Sequence, residues 1–252
     1  MRLRVVGCSG SYPGPDSPAS CYLVEEDDDE GRTWRLLLDL GSGALGALQR
    51  YADPLAIDAV FLSHLHPDHC ADLCGYHVLR RYHPDGVQPR LPVWGPAGTA
   101  ERMAAAYGLP VDPGMTGEFD FRDHAGAVEV GPMTVEAVAV VHPVPAFGIR
   151  VRAAGRTLAY SGDTGPCAGL DDLADGADLL LAEASFRTGD VNPPDLHLTG
   201  ADCGRAAAQG NTGRLMLTHV PPWFDPALAI AEAKGEYAGE IELAVAGAVY
   251  DI

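Results

Sequence analysis

The chain has 252 residues, 47% hydrophobic and 21% charged, the make-up of a folded protein with room for a large core rather than of a disordered one. Its formal net charge is −18 and Lys234 is its only lysine, so it lacks the basic footprint of a polyanion binder, and no extended nucleic-acid binding is expected. No apolar run approaches a membrane span and residues 1–7 carry no signal-peptide core, which predicts a cytoplasmic location with no membrane partner. Residues 2–7 read as a first strand, ended by a loop over 8–18 too rich in glycine and proline for regular structure. Because that loop does not open a helix, it is no phosphate cradle of the P-loop kind. Residues 21–25 and 33–39 read as a strand pair joined by an acidic, solvated turn from Glu26 to Glu30, and Gly41-Ser42-Gly43 starts a helix over 44–51.

The apolar, partly β-branched run 58–62 is a buried strand that delivers Ser63-His64-Leu65-His66-Pro67-Asp68-His69, three imidazoles and one carboxylate in six residues. His64 and His66 are two apart and Pro67 biases His66 towards extended backbone, so both rings project to one side. Asp68 and His69 then open a helix that continues over 70–79. Two ligand pairs facing one space suit two metal ions rather than one. A histidine-rich surface turn is the competing explanation, and it gives no reason for this spacing at a strand-to-helix junction. Short elements follow: a strand at 91–94, a helix over 97–107, then strands at 119–121, 127–130, 133–141, 148–151 and 157–161. A helix near 170–174, a strand at 177–182, a helix after Thr199, a strand at 214–218, a helix from Pro226 and a last strand at 241–245 complete the chain.

No linker divides the sequence, so residues 1–252 are expected to form one domain of two βα halves, roughly 1–125 and 126–252, facing each other around one cleft. Six cysteines without CxxC spacing read as reduced, mostly buried thiols. Three further strands end in polar residues: 138–141 at His142, 157–161 at Gly162-Asp163-Thr164, and 215–218 at His219. A single strand-end histidine is commonly just hydrogen-bonded; three such ends together with the histidine cluster need a common cause.

The ordered set HxHxDH, single His, GDT and THV resembles the metallo-β-lactamase superfamily along essentially the whole chain. The resemblance implies an α/β, four-layer αββα sandwich with two mixed sheets flanked by helices. It implies two divalent metal ions, zinc first, with manganese or iron admissible. His64, His66 and His142 would hold one, Asp68, His69 and His219 the other, and Asp163 would bridge them, with a shared hydroxide as nucleophile. Asp39, ending its strand, either orients a ligand histidine or caps the Gly41 turn.

Asp163 stands where the antibiotic-hydrolysing branch has cysteine, and the closer match is the phosphodiesterase branch that includes transfer-RNA 3′-processing endonucleases. The stretches 190–200 and 182–185 resemble its extra motifs, which implies catalytic places for His197 and Glu183 beside Asp68. His197 would contact a phosphate oxygen or protonate the leaving alkoxide, with Glu183 orienting it; the competing account is a helix-start histidine and an acid paired elsewhere. Those endonucleases carry a basic arm between ligand His and bridging Asp, whereas only residues 143–162 lie between His142 and Asp163 here. The finer details around Gly7–Ser11, Arg80–Pro84 and Thr218–Trp223 resemble atypical actinobacterial cyclic-AMP phosphodiesterases. The implied partner is a small phosphodiester, a 3′,5′-cyclic nucleotide, with a homodimer possible.

Trp223 and Phe147 are candidates to stack on a base, or ordinary core residues. Arg80 and Arg81 either contact phosphate or form a solvated helix end, and His77, His83 and His124 are structural. A transfer-RNA endonuclease, a thioester or lactone hydrolase on the same metal core, and a non-enzymatic nucleotide binder are the alternatives.

Overall fold

Why the strands lie as they do is visible in their leucine runs. In Leu36-Leu37-Leu38 and again in Leu179-Leu180-Leu181 every residue is fully buried, which a strand with one solvated face would not allow. Successive side chains point to opposite faces, so Leu36, Leu38, Leu179 and Leu181 share one central core, while Leu37 and Leu180 enter two different outer cores. The molecule therefore has four layers: helices, sheet, sheet, helices.

The computed structural model describes residues 1–252. The first half contains β1 (Arg2–Gly7), β2 (Cys21–Asp27), β3 (Thr33–Leu38), α1 (Ala44–Leu48), β4 (Ala59–Phe61), α2 (Pro67–Cys70), α3 (Leu73–Arg81), β5 (Leu91–Gly95), α4 (Thr99–Tyr107) and β6 (Phe119–Asp123). The second contains β7 (Ala127–Val130), β8 (Met133–Val140), β9 (Ala146–Ala153), β10 (Arg156–Tyr160), α5 (Ala168–Ala174), β11 (Leu179–Glu183), α6 (Gly200–Gln209), β12 (Arg214–Thr218), α7 (Pro226–Lys234), β13 (Glu240–Leu243) and β14 (Val249–Asp251). They form two seven-stranded sheets, ordered β14-β1-β2-β3-β4-β5-β6 and β13-β12-β11-β10-β9-β8-β7. Each is mixed: β3 to β6 run parallel in one, β10 to β13 in the other.

The central core joins Leu3, Val5, Tyr22 and Val24 to Ile149, Val151, Leu158 and Met216. Each such side chain contributes roughly 1.5–3 kcal/mol on burial. Outside, Leu73, Tyr76 and Met103 of α3 and α4 cover the first sheet, and Leu173, Cys203 and Ala207 of α5 and α6 cover the second. The C-terminal ends of β3, β4, β10, β11 and β12 then deliver Asp39, His64, Asp163, Glu183 and His219, the end of a parallel sheet where ligand sites form.

Three expectations need correction. The two halves are not consecutive in the chain, because β14 returns to pair antiparallel with β1, Leu3 opposite Tyr250; three residues are too short a run to show an alternation. The helix expected over 70–79 is two, with α2 ending before α3 begins and Asp72 between them accepting a hydrogen bond from the Leu45 N–H at 2.8 Å. The helix expected over 44–51 ends at Leu48, because the chain turns at Gln49 and Arg50 to bring Tyr51 under Arg4. All six cysteines are free thiols.

Candidate metal centre

Seven side chains from four chain segments meet where the two sheets open. Nε2 of His64 lies 2.9 Å from Nδ1 of His66, and Nε2 of His142 lies 3.3 Å from that same Nδ1. Beside this group, Nε2 of His69 and Nε2 of His219 are 3.2 Å apart, with Asp68 Oδ2 3.2 Å from His219 and Asp163 Oδ1 3.3 Å from His69. Asp163 reaches both groups, because its other oxygen is 3.8 Å from His64 Nε2. His64, His69, Asp163 and His219 are buried, while His66, Asp68 and His142 are half-exposed and leave one side open.

The hydrogen bonds behind these rings decide which nitrogen faces inward. His69 donates from Nδ1 to Asp39 Oδ2 at 2.7 Å, and His142 donates from Nδ1 to the Leu196 carbonyl at 2.9 Å. Ser185 donates its hydroxyl proton to the His219 carbonyl, so its oxygen accepts from His219 Nδ1 at 2.8 Å. In the neutral rings all three Nε2 lone pairs therefore point into the cluster. Lone pairs facing one another at 3.2 Å, beside a buried Asp163 Oδ1 with no hydrogen-bond partner, call for a cation between them. The donor set fits a metal ion, three nitrogens on one side and two nitrogens with two carboxylates on the other.

The charge states divide the cluster. Burial, with neighbouring imidazoles, pulls His64 well below the usual histidine range, and burial pulls His66 and His142 the same way, which leaves them neutral and able to ligate. His69 goes the other way: burial opposes its charge, but Asp163 and Asp39 overcome it and raise it well above the usual value. Burial pushes Asp163 and Asp68 up, yet His219 and His69 hold both carboxylates ionised, well below the ordinary range. The charge on His69 helps hold these carboxylates ionised, a place that a bound metal cation would take.

Asp39 is the buried hub beneath this floor. Besides His69 it accepts from the Ser63 N–H at 2.6 Å, the Ser63 hydroxyl at 2.8 Å and the Tyr160 hydroxyl at 2.7 Å, at a left-handed φ of 60°. It orients a ligand ring rather than capping the Gly41 turn. Glu183 plays the same part for His197. Its Oε1 accepts from His197 Nδ1 at 2.8 Å and from the Thr164 N–H, and its Oε2 accepts from the Ser185 N–H. His197 sits against Phe186 with Nδ1 3.8 Å from Asp163 Oδ2. Burial opposes its charge, but the Glu183 carboxylate and its hydrogen bond raise His197 to about 9. The imidazolium is favoured, and its Nε2 proton is not taken up by any protein acceptor.

Not every sequence-based candidate arrives here. Phe147 packs against the central core with its ring on His124, which is the core placement of its two readings and not the stacking one. Arg80 is buried and bonds the Pro89 carbonyl, and Arg81 pairs with Glu118, so both guanidiniums are engaged within the protein. His77 pairs with Glu118, His83 lies 3.6 Å from Asp85, and His124 bonds the Leu62 carbonyl, all structural. Trp223 is exposed, close in sequence to His219. The sequence reading passed over Ser63, Ser185, Tyr160 and the carbonyl of Leu196. Ser63 and Ser185 lie inside the very motifs that carry the ligands, but a backbone carbonyl leaves no trace in residue identity. It also passed over the backbone N–H of Ser11, 3.3 Å from His219 Nε2.

Comparison with known proteins agrees with this geometry. Residues 35–220 match the Beta-lactamase superfamily domain. An uncharacterized protein of Mycobacterium leprae is 45% identical over all of this chain and 89% of its own length. A ribonuclease Z of Mycolicibacterium paratuberculosis is 29% identical over 96% of this chain and 95% of its own. The crystal structure of YhfI, a metallo-β-lactamase fold protein of Bacillus subtilis, superposes with a TM-score of 0.87 at 26% identity and 99% coverage of both chains. With the family domain spanning most of the sequence and both sheets in place, this chain belongs to the β-lactamase superfamily as a metallo-hydrolase of the metallo-β-lactamase fold.

Proposed function

We propose that the protein is a phosphodiesterase, that its cluster holds two divalent ions with zinc the first choice, and that its substrates are 3′,5′-cyclic nucleotides. The observation that carries the reading is the Glu183–His197 pair against the cluster. A phosphodiester releases an alkoxide, which needs a proton as the P–O bond breaks; a thioester releases a thiolate, which does not. A thioester hydrolase would leave a buried carboxylate and a charged imidazole at the site without a task.

Divalent cations held by these donors would supply an activated water at neutral pH and positive charge for the phosphoryl oxygens. His64, His66 and His142 would hold one ion and Asp68, His69 and His219 the other, with Asp163 spanning both. The remaining work falls to the chain's own groups. His197 holds a proton on Nε2, is oriented through Nδ1 by Glu183, and hands the proton to the 3′ oxygen. The Ser11 N–H, aimed at the cluster, is a fixed donor for a non-bridging phosphoryl oxygen.

Ribonuclease Z among the relatives favours a transfer-RNA endonuclease as the second reading. Two observations weigh against it. Residues 143–162 are used up by the β9–β10 hairpin, without an arm to grip RNA, and a chain of net charge −18 repels a polyanion. The test is one set of turnover assays on metal-analysed protein with cyclic AMP, bis(p-nitrophenyl) phosphate, a precursor transfer RNA and a thioester. Hydrolysis of the two small diesters is expected; efficient, salt-sensitive cleavage of the RNA would overturn the ranking.

A further inference from the structure

Most large aromatic side chains of this protein are buried or half-buried, and of its three tryptophans only Trp223 is exposed, at 57%. Its ring lies 5.4 Å from that of Tyr12, itself 45% exposed, with the planes tilted by 30°. The other exposed aromatics lie elsewhere, Tyr82 after α3 beneath Arg81 and Tyr107 on α4 against buried His77. An exposed aromatic pair costs solvation, so its placement is informative.

Both rings stand on loops that are tied to a ligand of the metal centre. The first loop is fixed to the second by the Gly10 N–H to the Val220 carbonyl and by the His219 N–H to the Cys8 carbonyl. A side chain at Gly10 would lie 2.1 Å from the His219 carbonyl oxygen, so only glycine permits this approach. Ser11 then aims its N–H at His219 Nε2, and Tyr12 is the next residue, its carbonyl accepting from the Ser9 hydroxyl at 2.7 Å. On the other loop Trp223 follows the stiff Pro221-Pro222 pair in a turn closed by the Phe224 N–H to the Pro221 carbonyl. The pair is therefore preorganised at the rim of the cluster, on the side of His219 and of the Ser11 N–H.

We propose that Tyr12 and Trp223 form the stacking wall that takes the flat base of the nucleotide, and so set selectivity for diesters carrying an aromatic heterocycle over those without one. The inference rests on the phosphodiesterase reading and adds what that site recognises. Its logic is electrostatic as well as steric. The phosphate is held at the cations, by the Ser11 N–H and beside His197, and the uncharged base needs a neutral contact. Stacking a base on an aromatic side chain is sequence-tolerant, because every base has a π-face.

Binding of product-like probes separates the two contributions. Titrated calorimetrically into metal-loaded protein, adenosine 5′-monophosphate is expected to bind about tenfold more tightly than ribose 5-phosphate, which has the same phosphate and sugar but no base. In Tyr12→Ala and in Trp223→Ala this ratio is expected to fall towards one, with ribose 5-phosphate affinity and metal content unchanged. Tyr12→Phe and Trp223→Phe, which keep a ring, are expected to restore most of it. A ratio near one in the wild type, or a ratio kept by both alanine variants, would overturn the stacking wall. The phosphodiesterase reading stands or falls apart from this result, on whether the wild type turns over cyclic AMP.

Discussion

His197 and Asp39 show how much of the site depends on residues that hold no metal ion. With His197 as the proposed proton donor, its loss is expected to be selective. His197→Ala is predicted to keep the wild-type metal content but to lower kcat on cyclic AMP by about 10² to 10⁴, the range for a general acid. On bis(p-nitrophenyl) phosphate, whose leaving group is stable without a proton, the loss is predicted to be much smaller. Equal losses on both substrates would make His197 a phosphate contact instead. Asp39 accepts from Ser63 twice, from His69 and from Tyr160. Asp39→Asn turns one acceptor oxygen into a donor among donors, and it frees His69 to flip its tautomer. Metal affinity is predicted to fall roughly 10- to 100-fold, read by competition with a chromogenic chelator, while Tyr160→Phe, which removes only one of the donors, is predicted to cost less.

At the scale of elements, the ligands are positioned by close backbone contacts between loops rather than by helix or strand geometry alone. The loop after β3 meets α2 through the Leu40 N–H to the His69 carbonyl at 2.8 Å and the Asp72 N–H to the Leu40 carbonyl. Between them lies Gly41, where an added Cβ would fall 1.9 Å from the Asp68 carbonyl oxygen. Gly41→Ala must therefore push α2 outward, and with it Asp68 and His69. Substoichiometric metal in elemental analysis and a clear drop in Tm are predicted. Gly46→Ala, on the neighbouring helix with open space around it, is predicted to leave both unchanged.

For the whole molecule, the metal centre is a clasp between the sheets. His64, His66, Asp68 and His69 come from the first half of the chain, His142, Asp163 and His219 from the second. Removing the cations would leave the Asp163 and Asp68 carboxylates within 4.8 Å of each other, balanced only by the imidazoles around them, in a chain already at −18. Chelation is predicted to lower Tm by several degrees, with recovery on adding zinc that grows with the logarithm of its concentration once that exceeds Kd. A Tm indifferent to chelator would mean that the centre contributes nothing to joining the sheets.

The local code of this protein is legible residue by residue. The cluster from His64 to His69, the strand-end histidines and Asp163, and the leucine runs buried on both faces all follow from periodicity and spacing, because strand period, helix opening and ligand chemistry are short-range. Even Asp39 could be singled out, as an acid at the end of an apolar strand. What the sequence could not determine is whatever depends on a contact between distant segments. The return of β14 to β1, the inward nitrogen of His142 set by the Leu196 carbonyl, the turning of Phe147 to the core and the meeting of Tyr12 with Trp223 each join residues with no local pattern to announce them. Tertiary structure decided these, because hydrogen-bond direction and ring placement are set by the packing of two sheets against each other, and that packing is a property of the whole chain.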